Sequence, residues 1–226
     1  MDALQRQIEY YRARAEEYDE WFYRRGRYDR GPALNQQWLD EADVSMKRLS
    51  SVGRVETALE LAAGTGIWTE QLVKIAAHVT AVDASQEVLA INRDKLGYPE
   101  NVAYQQVDLF SWEPERQYDL VSFTFWLSHI PPSLVGEFLS KVSRATKPGG
   151  FAWMVDSKRA PSAKSLRSDA DNEDIYEQRL LNDGSSFEIV KVYYTPRRLE
   201  ELFRGAGFDV EVRETASYFI HAMARR

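Results

Sequence analysis

From residue 55 onward, short apolar runs take turns with helical stretches, and that alternation limits the chain more than any other feature. VETALEL, VTAVD, VAYQQVD, YDLVSFTF and GFAWMVD, starting at 55, 79, 102, 118 and 150, read as buried strands. Strands interleaved with helices predict βαβ units and a mainly parallel sheet with helices on both faces. FEIVKVYY, from 187, also reads as a strand. Thr195 and Pro196 then supply an N-cap and a first-turn proline for a helix striped by Leu199, Leu202 and Phe203. FDVEVRET and SYFIHAMA close the chain as two strands too near each other to pair any way but antiparallel.

Two flanking regions break the rhythm. Leu4, Ile8, Tyr11, Ala15, Tyr18 and Phe22 recur at helical spacing and predict one helix running to Gly26. Leu34, Trp38, Ala42, Met46 and Leu49 predict a second, ending near Gly53. The polar stretch 156–186 is too long for a simple connection and reads as an insertion or partial lid. Its Asp169, Asp171, Glu173 and Asp174 fit a solvated loop rather than a metal cage. The organisation expected is one domain over 1–226. It has a helical cap to 53, a ligand-binding core at 55–155, the insertion, and the rest of the sheet at 187–226.

Composition removes several function classes. There is no cysteine, so thiol chemistry and disulfides are out, and three histidines make a dedicated zinc site a poor expectation. Lys plus Arg number 29 against 35 Asp plus Glu, a net charge of −6, which disfavours nucleic acid and anionic membranes as partners. No apolar run approaches the roughly 18 residues of a membrane span, and the N-terminal stretch has no apolar signal core. A cytoplasmic small-molecule enzyme or binding protein is the expectation left.

The chemistry concentrates in Glu60-Leu61-Ala62-Ala63-Gly64-Thr65-Gly66, between the first strand and a helix. Glycines there let the backbone turn sharply and approach a ligand at the carboxyl edge of the sheet. Asp83 ends the second strand, where a carboxylate can accept from both hydroxyls of a ribose. Asp108 ends the third at the same edge. A dinucleotide loop would carry a third glycine where Thr69 stands, and no Gly-Lys-Ser/Thr follows for a phosphate loop. Glu60 suits a ligand with a cationic amino-acid end.

These residues resemble the class I S-adenosylmethionine-dependent methyltransferases. Glu60-x-Ala62-x-Gly64-x-Gly66 is similar to that family's acidic, glycine-rich loop, with alanine in place of the first glycine. Asp83 matches its ribose-binding acid, and Asp108 with Leu109 matches the pair that holds the adenine. YDLVSFTFWLSHIP resembles its post-strand-four motif, and Thr146-Lys147-Pro148-Gly149-Gly150 its turn into the fifth strand. The resemblance implies an α/β, Rossmann-like three-layer sandwich. Its seven-stranded, mainly parallel sheet would end in an antiparallel last strand, with N-terminal helices added.

It also implies S-adenosylmethionine as cofactor, with Tyr11, Ala84 and Phe125 completing the cofactor set, and no metal. The expected activity is in-line methyl transfer to oxygen or nitrogen of a small molecule by a monomer or homodimer. His129, just past the fourth strand, is the candidate general base; the other reading is a loop histidine bonded to backbone. Trp21, Arg27, Tyr28, Trp126, His129 and Asp156 are candidates for the acceptor pocket. An RNA or protein methyltransferase, a non-catalytic cofactor-binding subunit and an NAD-dependent reductase are the alternatives.

Overall fold

The computed structural model describes residues 3–159, 167–168 and 175–226. In chain order the elements are α1 (Ala3–Ala13), α2 (Tyr18–Phe22), α3 (Pro32–Ser50), β1 (Val55–Leu61), α4 (Thr69–Leu72), β2 (Ala76–Asp83), α5 (Gln86–Lys95), β3 (Val102–Gln106), β4 (Tyr118–Thr124), α6 (Pro132–Ala145), β5 (Thr146–Ser157), β6 (Arg167–Ser168), β7 (Ile175–Leu180), β8 (Ser186–Val190), α7 (Pro196–Gly205), β9 (Asp209–Glu214) and β10 (Phe219–Arg225). The main sheet has seven strands in the order β3-β2-β1-β4-β5-β10-β9. The first five run parallel, and β10 enters antiparallel between β5 and β9. This is the three-layer sandwich that the alternation implies.

The sheet has helices and a buried apolar layer on each face. Leu59 and Leu61 of β1 join a cluster with Val135, Leu139 and Val142 of α6 and Leu199 and Phe203 of α7. Ala58 belongs to the opposite layer with Trp38 and Leu49 of α3, Leu72 of α4 and Leu89 of α5. Strand alternation sends neighbours to opposite faces, so Glu60 lies on the face away from Leu59 and Leu61. Thr195 accepts from the backbone N–H of Arg198, the N-cap read from the sequence.

Two expectations are corrected. The N-terminal stripe does not lie on one helix. α1 ends at Ala13, a single 3₁₀ turn covers Ala15–Glu17, and α2 follows over Tyr18–Phe22. Partners on each side hold the break. Tyr10 packs on Phe187 of β8 at 5.5 Å between centroids, and Trp38 donates its indole N–H to the carbonyl of Phe22 at 2.9 Å.

Second, the strand expected at 187–194 covers only Ser186–Val190 and lies outside the main sheet. It pairs with β7 across Asn182-Asp183-Gly184, where Gly184 has φ +85°, a hairpin that supports α1 from beneath. The four acidic residues at 169, 171, 173 and 174 lie outside the described residues.

Candidate functional site

At the carboxyl edge of the sheet, a cleft opens between the strand ends and the N-terminal segment. Its floor is built by the turn after β1. Ala62, Gly64 and Gly66 have φ of +56°, +58° and +93°, so the backbone folds back on itself and brings Ala62, Gly64 and Thr65 to the cleft wall. Ala62 stands in a conformation that favours glycine, as does Phe125 at +50°, just past β4. Strained non-glycine residues of this kind gather at functional sites.

Asp83 at the end of β2 lines the cleft, and its two carboxylate oxygens accept from the backbone N–H groups of Gly64 and Ser85, each at 3.0 Å. It thereby ties the glycine turn to the start of α5. Burial pushes its carboxyl above the usual range, partly offset by those bonds. Ala84, Asp108, Leu109 and Phe125 stand in the same wall. Asp108 accepts from the N–H of Phe110 at 3.0 Å, which fixes its carboxylate at the mouth. Among the described residues, Asp83 and Asp108 are the carboxylates that line the cleft.

The N-terminal segment forms the other wall through Gln7, Ile8, Tyr11, Ala15 and Tyr18. Asp19 fastens it down, accepting from the Thr65 hydroxyl at 2.6 Å and pairing with Lys95 at 2.6 Å. Gln7 spans two elements, donating to the His129 carbonyl at 2.7 Å and accepting from Val190 N–H at 3.2 Å. Tyr18, read from the sequence as helix packing, is a wall residue because of the break after α1. Gln7 was not legible as a site residue, since only tertiary contact brings it to the cleft, whereas Thr65, Phe110 and Thr124 stand at or just past the strand ends already read from the sequence. Ser85 had a local signal: it caps α5, accepting from Val88 N–H.

Several expected site residues stand elsewhere. Glu60 does not reach the cleft. Strand parity turns it to the face opposite Leu61, where it is fully buried and accepts from the Thr69 hydroxyl at 2.6 Å. Its other oxygen has no partner, and burial pushes its carboxyl up to about 8. Gly66 does not line the cleft either. A Cβ there would sit 2.8 Å from the Asn92 amide oxygen, so this glycine serves the packing of the turn on α5.

Asp156 is consumed in a buried ion pair with Lys191 at 3.1 Å and accepts from Ser128 N–H at 3.0 Å. Trp21 backs the wall, with its ring edge-on to Phe125 at 5.0 Å. Arg27 is an exposed side chain bonded to Glu17 at 3.0 Å and to the Tyr28 hydroxyl at 2.6 Å, so neither it nor Tyr28 lines the cleft.

His129 lies one ring behind the wall. Its imidazole meets the Tyr11 ring edge-on at 5.5 Å, and Nδ1 bonds the Val190 carbonyl at 2.8 Å. Burial, and after it the nearby Lys191 ammonium, hold the imidazole well below its ordinary pKa, so it is neutral near pH 7. A general base must lie within hydrogen-bond reach of the proton it takes. The expected placement at the cleft surface is therefore corrected: Tyr11 and Trp126 occupy that wall.

Comparison with known proteins agrees with this architecture. A family described as Methyltransferase domain matches residues 58–150. Two solved structures, a DhpI–SAH complex and a DhpI–SAM–HEP complex, are each 34% identical to the chain, with TM-scores of 0.80 and 0.81. Both cover 99% of it, and it covers 96% and 98% of them. The ubiquinone biosynthesis O-methyltransferase of Xanthomonas euvesicatoria pv. vesicatoria (strain 85-10) is 28% identical over 200 residues, 81% of this chain and 80% of that protein. A demethylmenaquinone methyltransferase of Staphylococcus aureus (strain JH9) is 31% identical over 106 residues, 45% of this chain and 43% of its own length.

Proposed function

The chain belongs to the class I S-adenosylmethionine-dependent methyltransferases, and from that premise we propose that it methylates an oxygen or nitrogen of a small molecule by in-line displacement. The observation that carries the reading is the cleft itself. Strand-end carboxylates line one side, and an aromatic wall from a separate segment closes the other.

The residues fit the cofactor. Asp83 is the acceptor for the ribose hydroxyls, Asp108 and Leu109 flank the adenine, and the turned-in backbone of Ala62 and Gly64 faces the amino-acid end. S-adenosylmethionine, when bound, supplies a methyl group on a sulfonium that is already activated. The chain's part is to bind, orient and dry the reacting centre. Tyr11, Tyr18, Phe125 and Trp126 exclude water, and their ring faces attract the sulfonium charge. The cleft is suited to a small acceptor, and the small-molecule methyltransferases among the relatives favour this over an RNA or protein substrate.

Calorimetric titration with S-adenosylmethionine, S-adenosylhomocysteine and NAD tests the reading. Binding of the two sulfur nucleosides is expected, weakened at least about tenfold in Asp83→Ala, because a carboxylate hydrogen bond contributes about 1.5–3 kcal/mol. Binding of NAD, or equal affinity in the variant, would overturn it.

A further inference from the structure

We infer that the acceptor is an oxygen acid bound as its anion, and that its ionised oxygen takes the methyl group. This rests on the methyltransferase reading above. The first observation is a set of orphaned donors. The Tyr11 hydroxyl and the Trp126 indole N–H belong to wall residues of the cleft, and both are buried without a hydrogen-bond partner. Behind that wall, outside the lining itself, the buried Nε–H of Arg14 is also unpartnered among the described residues. Indole and guanidinium groups donate and cannot accept. Leaving buried donors unmade is costly, so a ligand that completes them presents acceptor oxygens.

The second observation is a charge left over. Of the cations around this wall, Lys191 is paired with Asp156 at 3.1 Å and Arg179 with Glu177 at 2.6 Å. Arg14 has no carboxylate partner among the described residues. Its guanidinium instead lies over the rings of Tyr18, Trp21 and Tyr10, at 5.1, 5.4 and 5.7 Å from their centroids. Ring faces attract the cation but do not accept its in-plane N–H donors, and Nε–H is left without a partner among the described residues. One uncompensated positive charge behind Tyr18 favours one negative charge in the cleft.

The third is the retreat of His129 behind Tyr11. A neutral hydroxyl or ammonium acceptor would need a base at the wall, whereas an ionised oxygen needs none. The step balances on that footing. An O–CH₃ bond forms as the S–CH₃ bond breaks, sulfur keeps the electron pair, the two opposite charges cancel, and no proton moves.

Titration of the S-adenosylhomocysteine-loaded protein with benzoate, its neutral isostere benzamide, and inorganic phosphate tests the proposal. Benzoate or phosphate is expected to bind at least about tenfold more tightly than benzamide, and whichever anion binds better identifies the oxygen acid as carboxylic or phosphate-like. Arg14→Gln is expected to erase the preference while S-adenosylhomocysteine affinity stays unchanged. Trp126→Phe, which keeps a ring and removes the donor, should weaken the anion severalfold. Failure of both benzoate and phosphate to bind the loaded protein more tightly than benzamide overturns the inference. So does a tenfold loss of S-adenosylhomocysteine affinity in Arg14→Gln, which would give the charge to the cofactor's own carboxylate. Absence of S-adenosylhomocysteine binding to the unaltered protein would instead strike the functional reading beneath it.

Discussion

Replacing Gly66 with alanine probes whether the turn after β1 owes its shape to packing against α5 rather than to contact with a ligand. At φ +93° an alanine is strained, at about 1–3 kcal/mol for such a conformation. Its Cβ would also stand 2.8 Å from Asn92 Oδ1, 2.9 Å from Cγ and 2.9 Å from a Leu96 methyl. Asn92 cannot move freely: it donates to the Gly64 carbonyl at 3.1 Å and the Thr69 hydroxyl at 2.7 Å, and accepts from the Tyr104 hydroxyl at 3.1 Å. Weakening two such bonds costs about 1–3 kcal/mol. Alanine recovers about 0.4–1 kcal/mol by restricting the unfolded chain. The net is a destabilisation of about 3 kcal/mol, or about 6–12 °C in melting temperature for a domain of this size.

Gly97→Ala is the control, since Gly97 has φ +68° but open space around its missing Cβ. Thermal unfolding followed by circular dichroism should show Gly66→Ala falling at least twice as far as Gly97→Ala, with weaker S-adenosylhomocysteine binding by calorimetry. Equal shifts in the two variants would refute the packing argument.

Two further outcomes follow from the same site. Glu60 has a folded pKa of about 8, above its ordinary 4.5, so the native state keeps a proton that the unfolded chain has lost. Its contribution is complete below about 4.5 and fades as pH rises through about 8, by up to roughly 5 kcal/mol. Urea unfolding at pH 6 and pH 8.5 should show a smaller loss in Glu60→Gln than in the unaltered protein, and parallel losses would dismiss the buried neutral carboxyl. His129→Asn retains a donor for the Val190 carbonyl, and it should keep kcat within about threefold with any acceptor the enzyme turns over. A general base would cost about 10²–10⁴, so a hundredfold drop in kcat at unchanged cofactor affinity would return His129 to the chemistry.

Local signals carried the residues whose position depends on the backbone of one element. Ala62, Gly64, Asp83, Asp108, Leu109 and Phe125 sit at or just past strand ends, and a parallel sheet brings all such ends to one edge whatever the helices do. Glu60 was misplaced by its motif although its parity with Leu61 was visible, because a motif records spacing and not the face of the pleat. Arg27 and Asp156 were misread because their opposite charges, Glu17 and Lys191, lie 10 and 35 residues away. Sequence alone does not say which of many carboxylates or cations a charge will meet.

The order of strands and helices, the glycine turn and the two strand-end acids were therefore determined by the sequence itself, through periodicities of two and 3.6 and through residues that permit a positive φ. Tertiary structure alone decided the acceptor side of the cleft. The N-terminal segment, broken after Ala13, places Tyr18 in the wall and Arg14 over aromatic rings with no carboxylate partner among the described residues. Docking α1 on the β7–β8 hairpin places His129 behind Tyr11. Those outcomes come from long-range packing, where a few kcal/mol gained by burying aromatic rings outweighs the propensity of a short segment to continue as one helix.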